Sequence, residues 1–380
     1  MKILYLTPGC FDKGGISRYN RYQIDALREI FGPHQVRVLS LLGPEKDAFE
    51  SDFEVQWHGR GNGLFEKIRF VIAALKELMI WKPTHIMVAH VNFSGLAVML
   101  GRLGGCQTIL NVYGLEVWSG LSKDADFGLR RVDQVISDCH YTAQYIEAEG
   151  FRVKDSTTVI WDCVDLERFQ PQPTQWEAVR EKYQLPDREQ YFVILTLGRL
   201  AFEAAHKGYD RLIQVFAALQ KNYSQARLVI AGKGNMQEEL AQQVAALGIT
   251  DQVTFTGMVH DDDMAALYSY AHVFSLVSDR GKGRGEGIPL TPLEAMACEV
   301  PIIVGNQDGS QEAIFDDANG WVIDPFDLKA HQAFFEMLIN DPQKRRSQAQ
   351  NALKIARDTF SYQNFREKHR FMQKLENLER

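Results

Sequence analysis

Tyr191-Phe192-Val193-Ile194-Leu195-Thr196-Leu197-Gly198-Arg199 decides the architecture. This β-rich run ends in Gly-Arg, and beyond a polar spacer Lys207-Gly208-Tyr209-Asp210-Arg211 leads into apolar positions Leu212, Ile213, Val215, Phe216 and Leu219 at helical spacing. The same alternation recurs downstream, with strands predicted at Arg227–Ala231, Val253–Thr256, Val273–Val277, Pro301–Val304 and Trp321–Ile323. Upstream lies an equivalent series: Lys2–Leu6, Val36–Leu42, His85–Ala89, Thr108–Val112, Gln134–Ser137 and Thr157–Ile160. Strands separated by helical segments imply parallel sheets with crossover helices. The prediction is therefore α/β: two Rossmann-like, doubly wound domains, at 1–175 and 186–360, facing across a cleft. Between them runs Gln170–Arg188, polar and carrying Pro171, Pro173 and Pro186. Residues 361–380 form a charged helical tail, expected to pack back on the first domain.

Length agrees, because 380 residues exceed what one hydrophobic core commonly serves. With 45% apolar and 24% charged residues the composition is that of a soluble globular protein. A net charge of −7 argues against a nucleic-acid partner. The five cysteines are scattered and form no CxxC pair, as expected of free thiols in a reducing compartment. The N-terminal apolar run is too short for a signal peptide, and a cytoplasmic location is expected. Helix Leu64–Trp81, with Lys67, Arg69, Lys76 and Lys82 beside a broad apolar face, offers peripheral contact with the inner face of a membrane. Core packing with a charged outer face is its plainer reading.

Ligands of open α/β sheets sit beyond the C-terminal strand ends, and several motifs fall there. Arg199 and Lys207 can project from one such edge, a cation pair suited to a diphosphate and to the charge that develops as a glycosidic C–O bond breaks. Gly285-Glu286-Gly-Ile-Pro-Leu-Thr-Pro-Leu-Glu294-Ala-Met-Ala places two carboxylates around a loop and a helix start. Thr291-Pro-Leu-Glu294 reads as a capping box, which accounts for Glu294 without a ligand, while the amides of Leu290 and Thr291 form an anion site. Glu286 has no helix to cap; its plainer reading is a solvated loop carboxylate paired with Arg284, near Lys282.

Gly14-Gly15, between the first strand and a helix, permits close backbone approach to a phosphate or sugar, or is simply a tight turn. It is not GxGxxG, and Gly232-Lys-Gly234 is no Walker motif. His90 ends a strand, and Glu116 lies in the Tyr113-Gly-Leu-Glu116 loop after another; a structural histidine and a solvated carboxylate are the alternatives. Asp124-Ala-Asp126, in a polar loop, and Asp261-Asp-Asp263, a helix N-cap, are weak metal candidates. No metal or other cofactor is expected.

In this order the motifs resemble the retaining glycosyltransferases of family 4, which have the GT-B fold. The resemblance rests on Gly14-Gly15, His90, Tyr113-Gly-x-Glu116, Val164-Asp-Leu-Glu-Arg-Phe169, Gly198-Arg199…Lys207-Gly208, Gly232-Lys-Gly234, Phe255-Thr-Gly257 and Glu286-x7-Glu294-Ala-Met-Ala. It implies that Arg199 and Lys207 hold the donor diphosphate, and that the backbone at Gly257 and Met258 meets the nucleobase. Glu294 would bind ribose hydroxyls and Glu286 sugar hydroxyls. It further implies metal-independent hexose transfer with retention from a nucleotide sugar, UDP-glucose first and GDP-mannose next, to a saccharide or lipid-linked acceptor in polysaccharide or glycoconjugate synthesis. Three departures stand out: Tyr113 where the family often has histidine, Pro289 where a backbone N–H is usual, and Asp308-Gly309-Ser310 for the usual Gly-Gly. The alternatives are a non-catalytic GT-B subunit that binds a nucleotide sugar or acts as a scaffold, and a sugar-nucleotide epimerase.

Overall fold

A computed structural model describes residues 1–12, 14–45, 52–281 and 285–373. The chain divides into two compact units, Met1–Cys163 with Tyr362–Arg380, and Val164–Ser361. The division falls ahead of the proline-bearing stretch that the sequence suggests as the junction. That stretch is a built part of the second unit. Trp176 Nε1 donates to Ser269 Oγ at 3.0 Å, and the Arg188 guanidinium lies 3.4 Å from the Trp176 ring centroid.

In the first unit β1 (Ile3–Thr7), β2 (Val36–Ser40), β3 (Trp57–His58), β4 (His85–Val88), β5 (Gln107–Val112), β6 (Gln134–Ser137) and β7 (Thr157–Val159) form a seven-stranded parallel sheet, ordered β3-β2-β1-β4-β5-β6-β7. Successive side chains of a strand point to opposite faces. Thus Leu4 and Leu6 join one core with Leu39, Ile86 and Val88, while Ile3 and Tyr5 join another with Val36, Val38 and Met87. The tail helix Tyr362–His369 packs beside helix Gly15–Phe31: the Phe365 and Tyr19 rings are 5.2 Å apart and Tyr362 Oη donates to Glu29 at 2.9 Å. His369 enters a buried polar network there, with Gln23 Nε2 2.9 Å from its Nε2 and Tyr5 Oη donating to Gln23 Oε1 at 2.7 Å.

The second unit holds β8 (Phe192–Leu197), β9 (Ala226–Ala231), β10 (Val253–Gly257), β11 (Val273–Leu276), β12 (Ile302–Gly305) and β13 (Gly320–Ile323), all parallel, ordered β10-β9-β8-β11-β12-β13. Chain order reverses between β1 and β4 in one sheet and between β8 and β11 in the other. At such a switch point two crossovers leave in opposite directions and open a crevice at the carboxyl ends of the strands.

Two local expectations change. Asp124 and Asp126 lie in helix Lys123–Leu129, where Asp126 pairs with Arg130 at 3.0 Å. Helix Leu64–Ile80 buries only Phe70, Ala74 and Leu78. Its outer face is not purely charged, since Phe65, Ile68, Ile72 and Met79 stand exposed there.

Candidate active site

The second-unit candidates lie where ligands of open α/β sheets bind, beyond β8, β11 and β12. After β8 the chain turns through Gly198 and exposed Arg199 into a short 3-10 helix, Phe202–Lys207. Gly208 ends that turn at φ +74°, and a Cβ there would lie 2.7 Å from the Val277 carbonyl oxygen. Only glycine combines that conformation with so close an approach. Lys207 Nζ thereby reaches Glu286 Oε1 at 2.7 Å, and His206 Nε2 meets the same oxygen at 2.8 Å. Glu286 is thus no solvated loop carboxylate. Arg284 and Lys282, the other cations near it in sequence, lie outside the described residues.

Burial alone would raise the Glu286 carboxyl, but Lys207 and His206 reverse this and hold it down at about 2. Burial pulls the Lys207 ammonium down, and Glu286 outweighs that to leave it above its usual range. The pair is charged at neutral pH. Among the described residues nothing engages Glu286 Oε2, and Arg199 makes no hydrogen bond or ion pair.

Residues given no site role on the sequence hold this cluster. Asp308 Oδ2 accepts from the Glu286 N–H at 2.9 Å and from Ser278 Oγ at 2.6 Å, while Gly309 N donates to the Glu286 carbonyl at 3.0 Å. Burial raises the Asp308 carboxyl to about 6 against these hydrogen bonds. Arg211, within the helix after Gly208, forms a buried ion pair with Asp279 at 2.7 Å, and Asp279 N donates to the His206 carbonyl at 2.8 Å. Tyr209 Oη is buried without a hydrogen-bond partner, and a Cβ on Gly198 would come within 2.5 Å of it.

Gly232 takes φ +126°, and a Cβ there would stand 1.9 Å from the Gly198 carbonyl oxygen; its N–H donates to Gly257 O at 2.9 Å. The ends of β8, β9 and β10 therefore close up as a backbone surface, with Met258 exposed just beyond.

The capping box does not form. Helix Leu290–Ala297 starts one residue before the predicted cap Thr291 and two before Pro292, the predicted first helical position, with Pro289 at the cap and no side-chain cap hydrogen bond. Thr291 sits in the first turn, its Oγ1 buried and without a partner. As leading residues of a helix, Leu290 and Thr291 have no intrahelical acceptor for their N–H groups, as the sequence suggests. Glu294, 2% exposed, accepts from Tyr268 Oη at 2.8 Å. Helix capping accordingly no longer explains it. Asp261–Asp263 is a 3-10 turn leading into helix Met264–Tyr270, with Asp263 at the cap position, making no side-chain cap hydrogen bond, and paired with Lys182 at 2.6 Å.

The first-unit candidates cluster at that sheet's own switch point. Gly14 caps helix Gly15–Phe31, its N–H donating to Asp12 Oδ1 at 2.7 Å, and a Cβ on Gly15 would meet open space. His90 follows β4, and its Nδ1 accepts from Asn92 N at 3.2 Å. The proton therefore sits on Nε2, and burial lowers the imidazole below its usual range, so His90 is neutral. Tyr113 Oη is committed to Asn20 Oδ1 at 2.7 Å. Glu116 is not a solvated carboxylate. Its Oε1 accepts from Tyr113 N at 2.5 Å, Oε2 is buried without a partner, and burial raises the carboxyl to about 7 against backbone donors.

Residues 178–355 match the family model described as glycosyl transferases group 1. The chain is 29% identical to the GDP-mannose-dependent alpha-(1-6)-phosphatidylinositol monomannoside mannosyltransferase of Mycolicibacterium smegmatis, over 66% of this chain and 65% of that one. It is 31% identical to the enzyme of the same description from Mycobacterium tuberculosis, over 63% and 62%. The matches span under two thirds of these relatives. Anabaena HepE, solved with UDP, superposes with a TM-score of 0.81 at 18% identity, covering 99% of this chain and 100% of that one. Sucrose-phosphate synthase from Thermosynechococcus elongatus gives 0.78 at 18%, covering all of both. Residues 178–355 are thus similar to the glycosyl transferases of group 1, and the chain has the GT-B fold.

Proposed function

We propose that the chain transfers a hexose, with retention, from a nucleotide diphosphate sugar to a hydroxyl of a saccharide or lipid-linked acceptor. The observation that carries this is the Lys207–Glu286–His206 cluster at the β8/β11 switch point beside unpaired Arg199. Arg199 and Lys207 take the diphosphate, joined by the amides of Leu290 and Thr291. Glu286, tethered through Oε1, offers Oε2 to sugar hydroxyls; Glu294 serves the ribose, and the backbone at Gly257 and Met258 the base. His90 offers Nε2–H to a hydroxyl, and Gly14 and Gly15 offer open backbone.

As the bond from C1 to the diphosphate oxygen breaks, the acceptor oxygen bonds C1 on the same face, and its proton passes to the departing diphosphate. The two cations neutralise the charge gathering on that diphosphate, and no metal is needed in this scheme. GDP-mannose stands first among donors because the mannosyltransferase relatives depend on it. UDP-glucose, favoured on the sequence, is second. The deciding experiment follows nucleotide release from GDP-, UDP- and ADP-sugars, with and without EDTA. Release from one donor, insensitive to EDTA and lost in Arg199→Ala, is expected. Loss with EDTA would overturn the metal-free scheme, and binding without turnover on any acceptor would favour a non-catalytic subunit.

A further inference from the structure

Helix Leu64–Ile80 is apolar on two opposite faces. Phe70, Ala74 and Leu78 face the core, while Phe65, Ile68, Ile72 and Met79 line the other side, with Phe65 82% and Met79 69% exposed. Leu64 and Ile80 extend the outer face at its ends. Helix Ser94–Gly104 packs alongside so closely that a Cβ on Gly104 would meet Leu78 Cδ1 at 2.4 Å. It adds exposed Met99 and Leu103, the latter 67% exposed. Fold stability does not account for so many large apolar side chains in water on adjoining helices, and patches of this kind mark interaction surfaces.

The charges identify the partner. Lys76, Lys82 and Arg102 are exposed on or beside these helices, whereas Glu66 and Glu77 are committed to Arg69 at 3.0 Å and Arg37 at 2.6 Å. The surface is therefore basic on a chain whose net charge is −7. Two copies meeting here about a twofold axis would set those cations against their own images. A bilayer of anionic phospholipid supplies both what the apolar ridge and what the cations require.

We propose that this two-helix surface docks the protein on an anionic phospholipid membrane, Phe65, Ile68, Ile72, Met79 and Leu103 entering the headgroup boundary and Lys76 and Arg102 meeting lipid phosphates. Among the described residues no helix is long and apolar enough to cross a membrane. The inference does not depend on the donor-site reading.

Flotation of the full chain with phosphatidylcholine vesicles, with and without phosphatidylglycerol, tests it. The protein is expected to float with the anionic vesicles and not the neutral ones, and to be released by salt. Phe65→Ser/Ile72→Ser and Lys76→Glu/Arg102→Glu should each lower partitioning on the order of tenfold or more, with the thermal midpoint unchanged because these side chains are exposed. Failure to float, or undiminished flotation of both variants at an unchanged midpoint, overturns the proposal. So does light scattering that finds a dimer which Phe65→Ser/Ile72→Ser makes monomeric, since the face would then join two copies.

Discussion

Replacing Lys207 by Met removes the cation 2.7 Å from Glu286 and leaves a carboxylate whose side chain is only 22% exposed with His206 as its remaining partner. Two routes give the magnitude. Moving a carboxyl from 4.5 to about 2 corresponds to about 3 kcal/mol of preferential interaction with the charged form. Stripping one partner from a buried pair typically costs about 3–5 kcal/mol, because the other charge stays desolvated. Lys207→Met should therefore lower the thermal midpoint of the second unit by roughly 6–20 °C at neutral pH. Glu286→Gln should cost a comparable amount by stranding the ammonium. The double variant strands neither charge, so it should cost about 3 kcal/mol less than the sum of the singles. Denaturant unfolding of the four proteins measures this cycle. The pH dependence has a fixed sign: with its native carboxyl depressed, the Glu286 contribution is fully present above about 4.5 and disappears as pH falls toward about 2. The gap between wild type and Lys207→Met should close over that window. Additive single costs, or a gap independent of pH, would refute the reasoning.

Arg199→Ala should leave stability within about 0.5 kcal/mol, since the side chain is exposed and unpaired among the described residues, yet lower the proposed hexosyl transfer on the order of 10²–10³-fold; unfolding and steady-state rates measure the two. Asp308 has a carboxyl raised from 3.8 to about 6, so its charging should cost the native state stability as pH rises between those values. In Asp308→Asn that slope should vanish in pH-dependent unfolding, and donor binding by calorimetry should weaken as the Glu286 loop loses its anchor. Gly232→Ala forces a Cβ to within 1.9 Å of the Gly198 carbonyl at φ +126° and should destabilise by more than about 1 kcal/mol in chemical denaturation.

Both sheets were legible because strands buried in parallel sheets appear as short apolar runs between helical periods, and predicted strand ends fall within a residue or two of those observed. The miss was β3, whose two residues Trp57–His58 make no run at all. Helix starts were harder. Thr291-Pro-Leu-Glu294 satisfies the capping pattern in sequence, but proline is tolerated anywhere in a first turn, where its missing N–H has no acceptor, so the pattern leaves the register open. The site showed the same division. Lys207 and Glu286 each sit in a local motif, whereas their contact depends on Gly208 and on Asp308 from a later loop. His206 carried one weak signal, its place beside Lys207. Nothing local connects Arg211 with Asp279, which meet only when β8 and β11 lie side by side.

Tyr362–His369 completes the first unit from the far end of the chain. During synthesis β1 to β7 leave the ribosome long before the helix that supplies Phe365 and His369 to their core. The second unit, contained wholly within Val164–Ser361, has by then emerged in full and can fold as a continuous piece. Translation thus finishes the later-encoded unit first. The polar network around Tyr5 and Gln23 waits with one face open until the closing residues of the tail arrive.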